Sequence, residues 1–348
     1  MIDLNKTHAN IHIIAGLWKS ELYDFLFKTG KDRIFQVKDG YHVVSEHRTY
    51  YARMSGTVAF WYNKKTINQK ERKWLLDMLS TYEEDFMNIT EAGENEMKSY
   101  IQDYIKKSAY TTDNAKSLLQ TLFVKLYSTF TTEKDDNGIT RAHRFLKMLN
   151  VKTCPYCNRN YTFTVDEKNA RTAPEYDHFY DKSDYPLLAV AFYNLVPSCH
   201  TCNHVKGTKK TVKINPFFSG FESKFILVDE NGKELTKAEI FKKKGGQLDF
   251  KKPTNANRAA EEEGNIEAFG LRGLYRQHDD YVGDIIGKVM EYDAIARQAL
   301  VEAFQSNAKS PQQVYDFVWG SFLDIAQNGK RPLSKLTREI LEQLEIKR

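Results

Sequence analysis

Apolar positions recur at helical spacing over most of this chain, and the middle is broken into short alternating runs and turns. Leu17-Trp18 through Phe25-Leu26-Phe27 spaces its apolar side chains as one helix face, and Gly30 is placed to stop it. Tyr41 to Tyr51 carries Val43, Val44, Tyr50 and Tyr51 and is compatible with a strand or a short helix. A further helix is expected from Asn68-Gln69-Lys70-Glu71 through Leu75, Leu76, Leu79 and Phe86. Ala115 to Phe130 gathers Leu118, Leu119, Leu122, Phe123 and Leu126 on one side, an amphipathic helix. Asp135-Asp136-Asn137-Gly138 reads as a turn, and Thr140 to Leu149 as a helix running into Cys154.

The middle reads differently. Asn160 to Val165 alternates Tyr161, Phe163 and Val165 and predicts a strand; Asp166 to Thr172 predicts a polar connection. Tyr176 to Tyr180 predicts a second strand, Pro186 to Phe192 a short helix, and Cys199 to Lys206 another. Beyond Asn215-Pro216, Phe225 to Val228 predicts a strand, Asp229 to Lys233 a hairpin turn, and Glu234 onward the return strand. Lys242 to Gly246 is a second, basic turn. From Asn257 the pattern is helical to the end. Ile285, Val289, Tyr292 and Ala296 form one stripe, and Phe317, Phe322, Leu323, Ile340 and Leu341 belong to others. The expected class is α+β: a helical region over 1–150, a small mixed unit over 151–215, and a hairpin followed by helices over 216–348.

Composition narrows the setting. Apolar residues at 41% and aromatics at 13% supply a core, while 28% charged residues and a mean hydropathy of −0.59 give a hydrated surface. There is no run of eighteen apolar residues, so no membrane span is expected. Met1-Ile2-Asp3-Leu4-Asn5-Lys6 lacks the basic-then-apolar layout of a secretory signal. A net charge of +5 is mild, so any surface for nucleic acid must be local.

The chain has four cysteines, in two C-x-x-C pairs: Cys154-Pro155-Tyr156-Cys157 and Cys199-His200-Thr201-Cys202. One such pair lets two thiolates of a tight turn reach one ion, and two pairs complete a tetrahedron around zinc. A redox pair needs only one C-x-x-C in a thioredoxin-like setting, which is absent here. Reduced cysteines at metal spacing favour a cytoplasmic location. The pairs are 41 residues apart, wider than a simple zinc ribbon, which leaves room for a functional insertion.

That insertion holds Asp177-His178 and Asn194-Leu195, and the second pair continues as Asn203-x-x-Lys206. At Asp177, His178, Asn194, Cys199, Cys202, Asn203 and Lys206 the chain resembles the HNH endonucleases in their zinc-stapled, ββα-metal form. Four runs are similar to the HNH component of Septu-type anti-phage systems, to which a retron-associated HNH protein is related. They are Cys154 to Tyr161, Asp177 to Tyr180, Tyr185 to Leu188, and Phe192 to Cys199. The resemblance implies hydrolysis of a phosphodiester, DNA or RNA, with His178 as general base. Asp177 and Asn203 would hold a catalytic Mg²⁺ or Mn²⁺, and Asn194 would brace the loop. A helix register shifted by one residue would put His204 in place of Asn203. It also implies an ABC/AAA-like ATPase partner. Lys206, Lys209, Lys210 and Lys213 are open to two readings, phosphate contact or a solvated basic face. Tyr156, Tyr161 and Tyr180 are open to base stacking or to packing. The competing reading is a zinc-stapled nucleic-acid-binding module without catalysis.

Overall fold

In the computed structural model the described residues are 1–27, 33–36, 42–45, 88–102, 117, 119–167, 170–207, 212–291, 294–305 and 310–346. The helix expected over Asn68 to Phe86, most of Tyr41 to Tyr51, Leu118, Tyr292, Lys209 and Lys210 lie outside them.

The described part is mixed: helices with four separate two-stranded antiparallel sheets. The N-terminal part contains α1 (Leu4–Thr7), α2 (Ile11–Phe27), the hairpin β1 (Arg33–Gln36) and β2 (His42–Ser45), and α3 (Glu94–Tyr100). Next come α4 (Lys125–Thr132) and α5 (Arg141–Leu149). The long amphipathic helix expected through Phe130 forms, but Gln120–Val124 widens into a π-helical turn ahead of α4. Buried Leu119, Phe123, Leu126 and Phe130 still share the core. α5 is capped where its sequence suggests: the Thr140 hydroxyl accepts from His143 N, and Asn150 closes the helix in the left-handed region.

The middle departs from expectation. Asn160 to Val165 is not a regular strand. Tyr161 forms one bridge with Thr153, and β3 is Val165–Glu167. The predicted polar connection is instead a hairpin, β3 with β4 (Ala170–Thr172). β5 (Glu175–His178) therefore pairs elsewhere, with β6 (Leu195–Ser198), in the register Glu175↔Ser198 to His178↔Leu195. Short 3₁₀ turns, Pro186–Leu188 and Phe192–Asn194, stand where one helix was expected. α6 (His200–Lys206) follows β6 and packs on β5.

In the last third β7 (Lys224–Val228) and the turn at Asp229 to Lys233 form as read. The return strand does not. Thr236 and Glu239 make a capping box that starts α7 (Lys237–Lys243), and the partner of β7 is β8 (Gln247–Lys251). α8 (Ala256–Ala268), α9 (Leu271–Tyr275), α10 (Asp279–Glu291), α11 (Ala294–Gln305), α12 (Pro311–Trp319) and α13 (Ser334–Gln343) complete the described chain. Among the described residues no helix is long and apolar enough to cross a membrane.

One buried cluster joins all three regions. Trp18 of α2 is fully buried, meets Phe130 and Phe145 edge-on at 4.9 Å each, and donates its indole N–H to Val190 O at 2.8 Å. The N-terminal helices are thereby fixed to the loop between β5 and β6.

Candidate metal centre and active site

Both C-x-x-C pairs adopt backbone turns that turn their sulfurs inward. In the first, Asn158 N donates to Cys154 O at 2.7 Å, and Asn158 takes the left-handed conformation (φ 48°) that a short polar residue tolerates. In the second, Cys199 is the N-cap of α6, and Asn203 N donates to its carbonyl at 3.1 Å. The four ligand atoms lie within 4.8 Å of one another and all four cysteines are buried, the one such cluster among the described residues. None is in a disulfide. Asn160 Nδ2 donates to Cys199 Sγ at 3.3 Å and Arg159 N to Cys157 Sγ at 3.4 Å, so two N–H groups already face the sulfurs. Hydrogen bonds from Cys154, Cys157 and Cys202, and then from Asn160, push the Cys199 thiol well below its ordinary range. A buried Cys₄ set with supporting N–H donors fits a structural metal such as zinc.

The first knuckle is held from the far end of the chain. Asn158 Nδ2 donates to Thr153 Oγ1 and to Asn328 O, each at 3.1 Å, while its own carbonyl accepts from Leu333 N at 2.7 Å. Thr153 Oγ1 donates to Gly329 O at 3.0 Å, and the Tyr275 hydroxyl donates to Cys157 O. The segment from Asn328 to Leu333 is thus part of the cysteine cluster's support.

Beside this centre, β5 presents alternate residues to opposite sides. Glu175 and Asp177 meet α6. Asp177 is 3% exposed, and both its oxygens are engaged: Tyr156 OH donates to Oδ2 at 2.6 Å and Lys206 Nζ to Oδ1 at 2.9 Å. Lys206, 2% exposed, also donates to His178 O at 2.6 Å. Burial pushes the Asp177 carboxyl above its ordinary range, opposed by the Lys206 charge and the Tyr156 hydroxyl. Lys206 in this position is turned inward, not on a solvated basic face. Tyr156 is core, its ring stacked on Phe269 at 4.5 Å.

His178 is 7% exposed. Its Nε2 lies 3.0 Å from Ala189 O; a carbonyl only accepts, so Nε2 carries the proton and Nδ1 is the basic nitrogen. Burial and the nearby Lys182 charge lower its pKa from 6.5 to about 3. The Tyr127 ring of α4 meets the imidazole edge-on at 4.6 Å, and Lys182 Nζ lies 5.1 Å from the centre of that tyrosine ring. Asn194 is fully buried. Its Oδ1 accepts from Tyr180 N at 2.7 Å, and its Nδ2 donates to Tyr180 O at 3.1 Å and Leu188 O at 2.9 Å. These bonds tie both ends of the loop that carries Ala189, the partner of His178.

Asn203 does not meet Asp177 by any hydrogen bond; its Nδ2 donates to Glu175 Oε2 at 2.7 Å, and His200 Nδ1 lies 2.8 Å from Glu175 Oε1. These two contacts, Asn203 first, hold the Glu175 carboxyl below its ordinary range. His204 is exposed and stacks on His200 at 5.8 Å. Glu175 and Tyr127 carry no motif of their own in the sequence. Glu175 is nevertheless legible as the residue two before Asp177, on the same side of the strand.

No family model matches the chain, and no solved structure does. Among curated proteins the chain is similar to the Septu protein PtuB of Bacillus thuringiensis, 43% identical over 74 residues. That stretch covers 20% of this chain and 26% of the relative, so the likeness spans about a quarter of that protein.

Proposed function

We propose that this chain hydrolyses phosphodiester bonds of nucleic acid as part of a bacterial anti-phage system. It would act in the cytoplasm beside an ABC/AAA-like ATPase. The observation that supports it most is the setting of His178. One ring nitrogen is committed to Ala189 O at 3.0 Å, the other is left basic, and the carrying strand lies beside a Cys₄ centre. An imidazole so oriented takes a proton from an attacking water at Nδ1. Asn194 keeps Ala189 in place and so sets the ring's tautomer. The similarity to PtuB supports the defence setting.

The cysteines would hold zinc as a staple. A catalytic Mg²⁺ or Mn²⁺ on Asp177 and Asn203 does not fit this arrangement. The ammonium of Lys206 already sits 2.9 Å from Asp177 Oδ1, and a dication beside it would be repelled. The amide N of Asn203 is turned to Glu175. Lys206 instead supplies the positive charge that balances Asp177 and ties α6 to the end of β5. Catalysis also requires water to reach His178, because an imidazole with a pKa of about 3 is a weak base near neutrality.

The deciding experiment compares wild type with His178→Ala on plasmid DNA and on total tRNA, with Mg²⁺, with Mn²⁺ and with EDTA, after zinc is quantified. Cutting by wild type alone is expected. Equal cutting by His178→Ala rejects the mechanism, and cutting in EDTA rejects any need for a catalytic divalent ion. A second reading, a zinc-stapled binding module without catalysis, is favoured by the burial of Asp177 and His178. It predicts binding of nucleic acid with no cleavage by either protein.

A further inference from the structure

Directly after the first knuckle, the chain presents two aromatic rings that the hydrolytic reading does not use. Tyr161 is 51% exposed and Phe163 49% exposed, and their rings stack on each other at 4.5 Å with 22° between planes. The backbone beneath them is rigid. Cys154 N donates to Asn160 O at 2.9 Å, Thr162 N to Lys152 O at 2.9 Å, and the buried Thr162 hydroxyl to Val151 O at 2.7 Å. Asn160, the residue before Tyr161, bonds Cys199 Sγ at 3.3 Å. The pair therefore stands on the metal centre's own framework rather than on a loose loop.

Two basic residues neighbour it along the backbone: Lys152, whose carbonyl accepts from Thr162 N, and Arg159, two positions before Tyr161. Lys152 is exposed and Arg159 half-buried. Arg159 Nε bonds His278 Nε2 at 2.9 Å and its guanidinium lies 5.9 Å from the Tyr275 ring centre. Among the described residues neither cation has a carboxylate partner, although Lys147, Arg141, Arg144, Arg258 and Arg272 all do. Flat π-faces on a rigid support, with basic residues that have no carboxylate partner close by in the backbone, match an unstacked base and its phosphate. A paired duplex hides its base faces and cannot use them.

We infer that Tyr161 and Phe163, with Lys152 and Arg159, form a stacking shelf for unpaired bases of single-stranded nucleic acid. The site therefore acts on single strands or on the loops of folded RNA. This deepens the hydrolytic reading and rests on it for its meaning, but its test is one of binding and needs no cleavage. Fluorescence anisotropy without added Mg²⁺ or Mn²⁺, on a His178→Ala background, would follow a fluorescein-labelled oligothymidylate and a duplex of equal length. Tyr161→Ala and Phe163→Ala are each expected to weaken single-strand binding roughly five-fold or more, the lower end of what one stacked base contributes. Tyr161→Trp should keep it, and duplex binding should change little. Because both rings are half-exposed, zinc content and the melting temperature of the variants report separately on folding.

Oligothymidylate affinity within two-fold of the parent in the folded double variant Tyr161→Ala, Phe163→Ala would overturn the shelf, as would a parent that binds no single strand. The former result is also the one expected if the rings instead contact a protein partner. Cleavage by wild type together with unchanged binding by the double variant would remove the shelf and leave the hydrolase. Loss of binding in a protein that cuts nothing would do the reverse.

Discussion

Lys206 and Asp177 form an ion pair at 2.9 Å with side chains 2% and 4% exposed, joining α6 to the last turn of β5. Removing one partner of such a pair leaves the other charged and without solvent, which typically costs about 3–5 kcal/mol. Lys206→Met should therefore lower the free energy of unfolding by roughly that amount. Lys206→Met with Asp177→Leu should recover part of it. Urea unfolding of the three proteins checks this, and a loss below about 1 kcal/mol for Lys206→Met would show the pair to be open to water.

The burial of His178 carries a pH signature. The unfolded chain takes up a proton at the ordinary value of 6.5, and the folded chain only near 3. Stability from this group is complete above 6.5 and is lost as the pH falls from there through about 3. The slope of this one-proton linkage is about 1.4 kcal/mol per pH unit. Unfolding midpoints of wild type should thus fall more steeply between about pH 6.5 and about pH 4 than those of His178→Gln. Parallel curves would mean that the imidazole is hydrated.

Tyr127 is the ring nearest the imidazole, at 4.6 Å. Tyr127→Ala is expected to let water reach His178, raise its pKa toward 6.5, and speed its carbethoxylation by diethylpyrocarbonate at least several-fold. Tyr127→Phe should not, because only the ring covers the site. Peptide mass spectrometry of modified His178 reads both, and equal rates in Tyr127→Ala and wild type would place the barrier to water elsewhere.

The cysteine cluster should bind one zinc per chain, and chelation should loosen the surrounding core, because metal binding and folding are coupled at such sites. Cys199→Ser should lower zinc affinity without blocking expression. Asn158→Gly should do so more mildly: it keeps the φ of 48° but loses the bonds to Thr153 and Asn328. Zinc release to a chromogenic chelator, followed with circular dichroism, measures both, and wild-type release rates in Asn158→Gly would show that the brace is dispensable.

The four-cysteine cluster was legible because ligand spacing is a local property: each C-x-x-C turn is set by its own residues. Capped α5 and the strand β7 with its turn were legible for the same reason. The pairing of β5 was not. Tyr161 and Phe163 alternate as a half-buried strand would, yet they turn outward while Thr162 alone points in. Which strand then accepts β5 is decided by contacts across the loop to β6. Lys206 misled in a similar way. A lysine in a basic run reads as surface, and its burial depends on a carboxylate 29 residues away that tertiary packing delivers. Thr236 and Glu239, by contrast, carried a helix-start signal that the return-strand expectation overlooked.

Lys335 N donates to Asn158 Oδ1 across 177 positions of sequence. During vectorial synthesis the first knuckle leaves the ribosome long before the segment that clasps it. At about 5–20 residues per second the wait is on the order of ten to thirty seconds. For that interval the first knuckle lacks its brace, although the distal ligands Cys199 and Cys202 follow much earlier. A translation product ending between residues 203 and 327 keeps all four cysteines yet never acquires the clasp, so the brace of the first knuckle waits on a segment made well after its ligands.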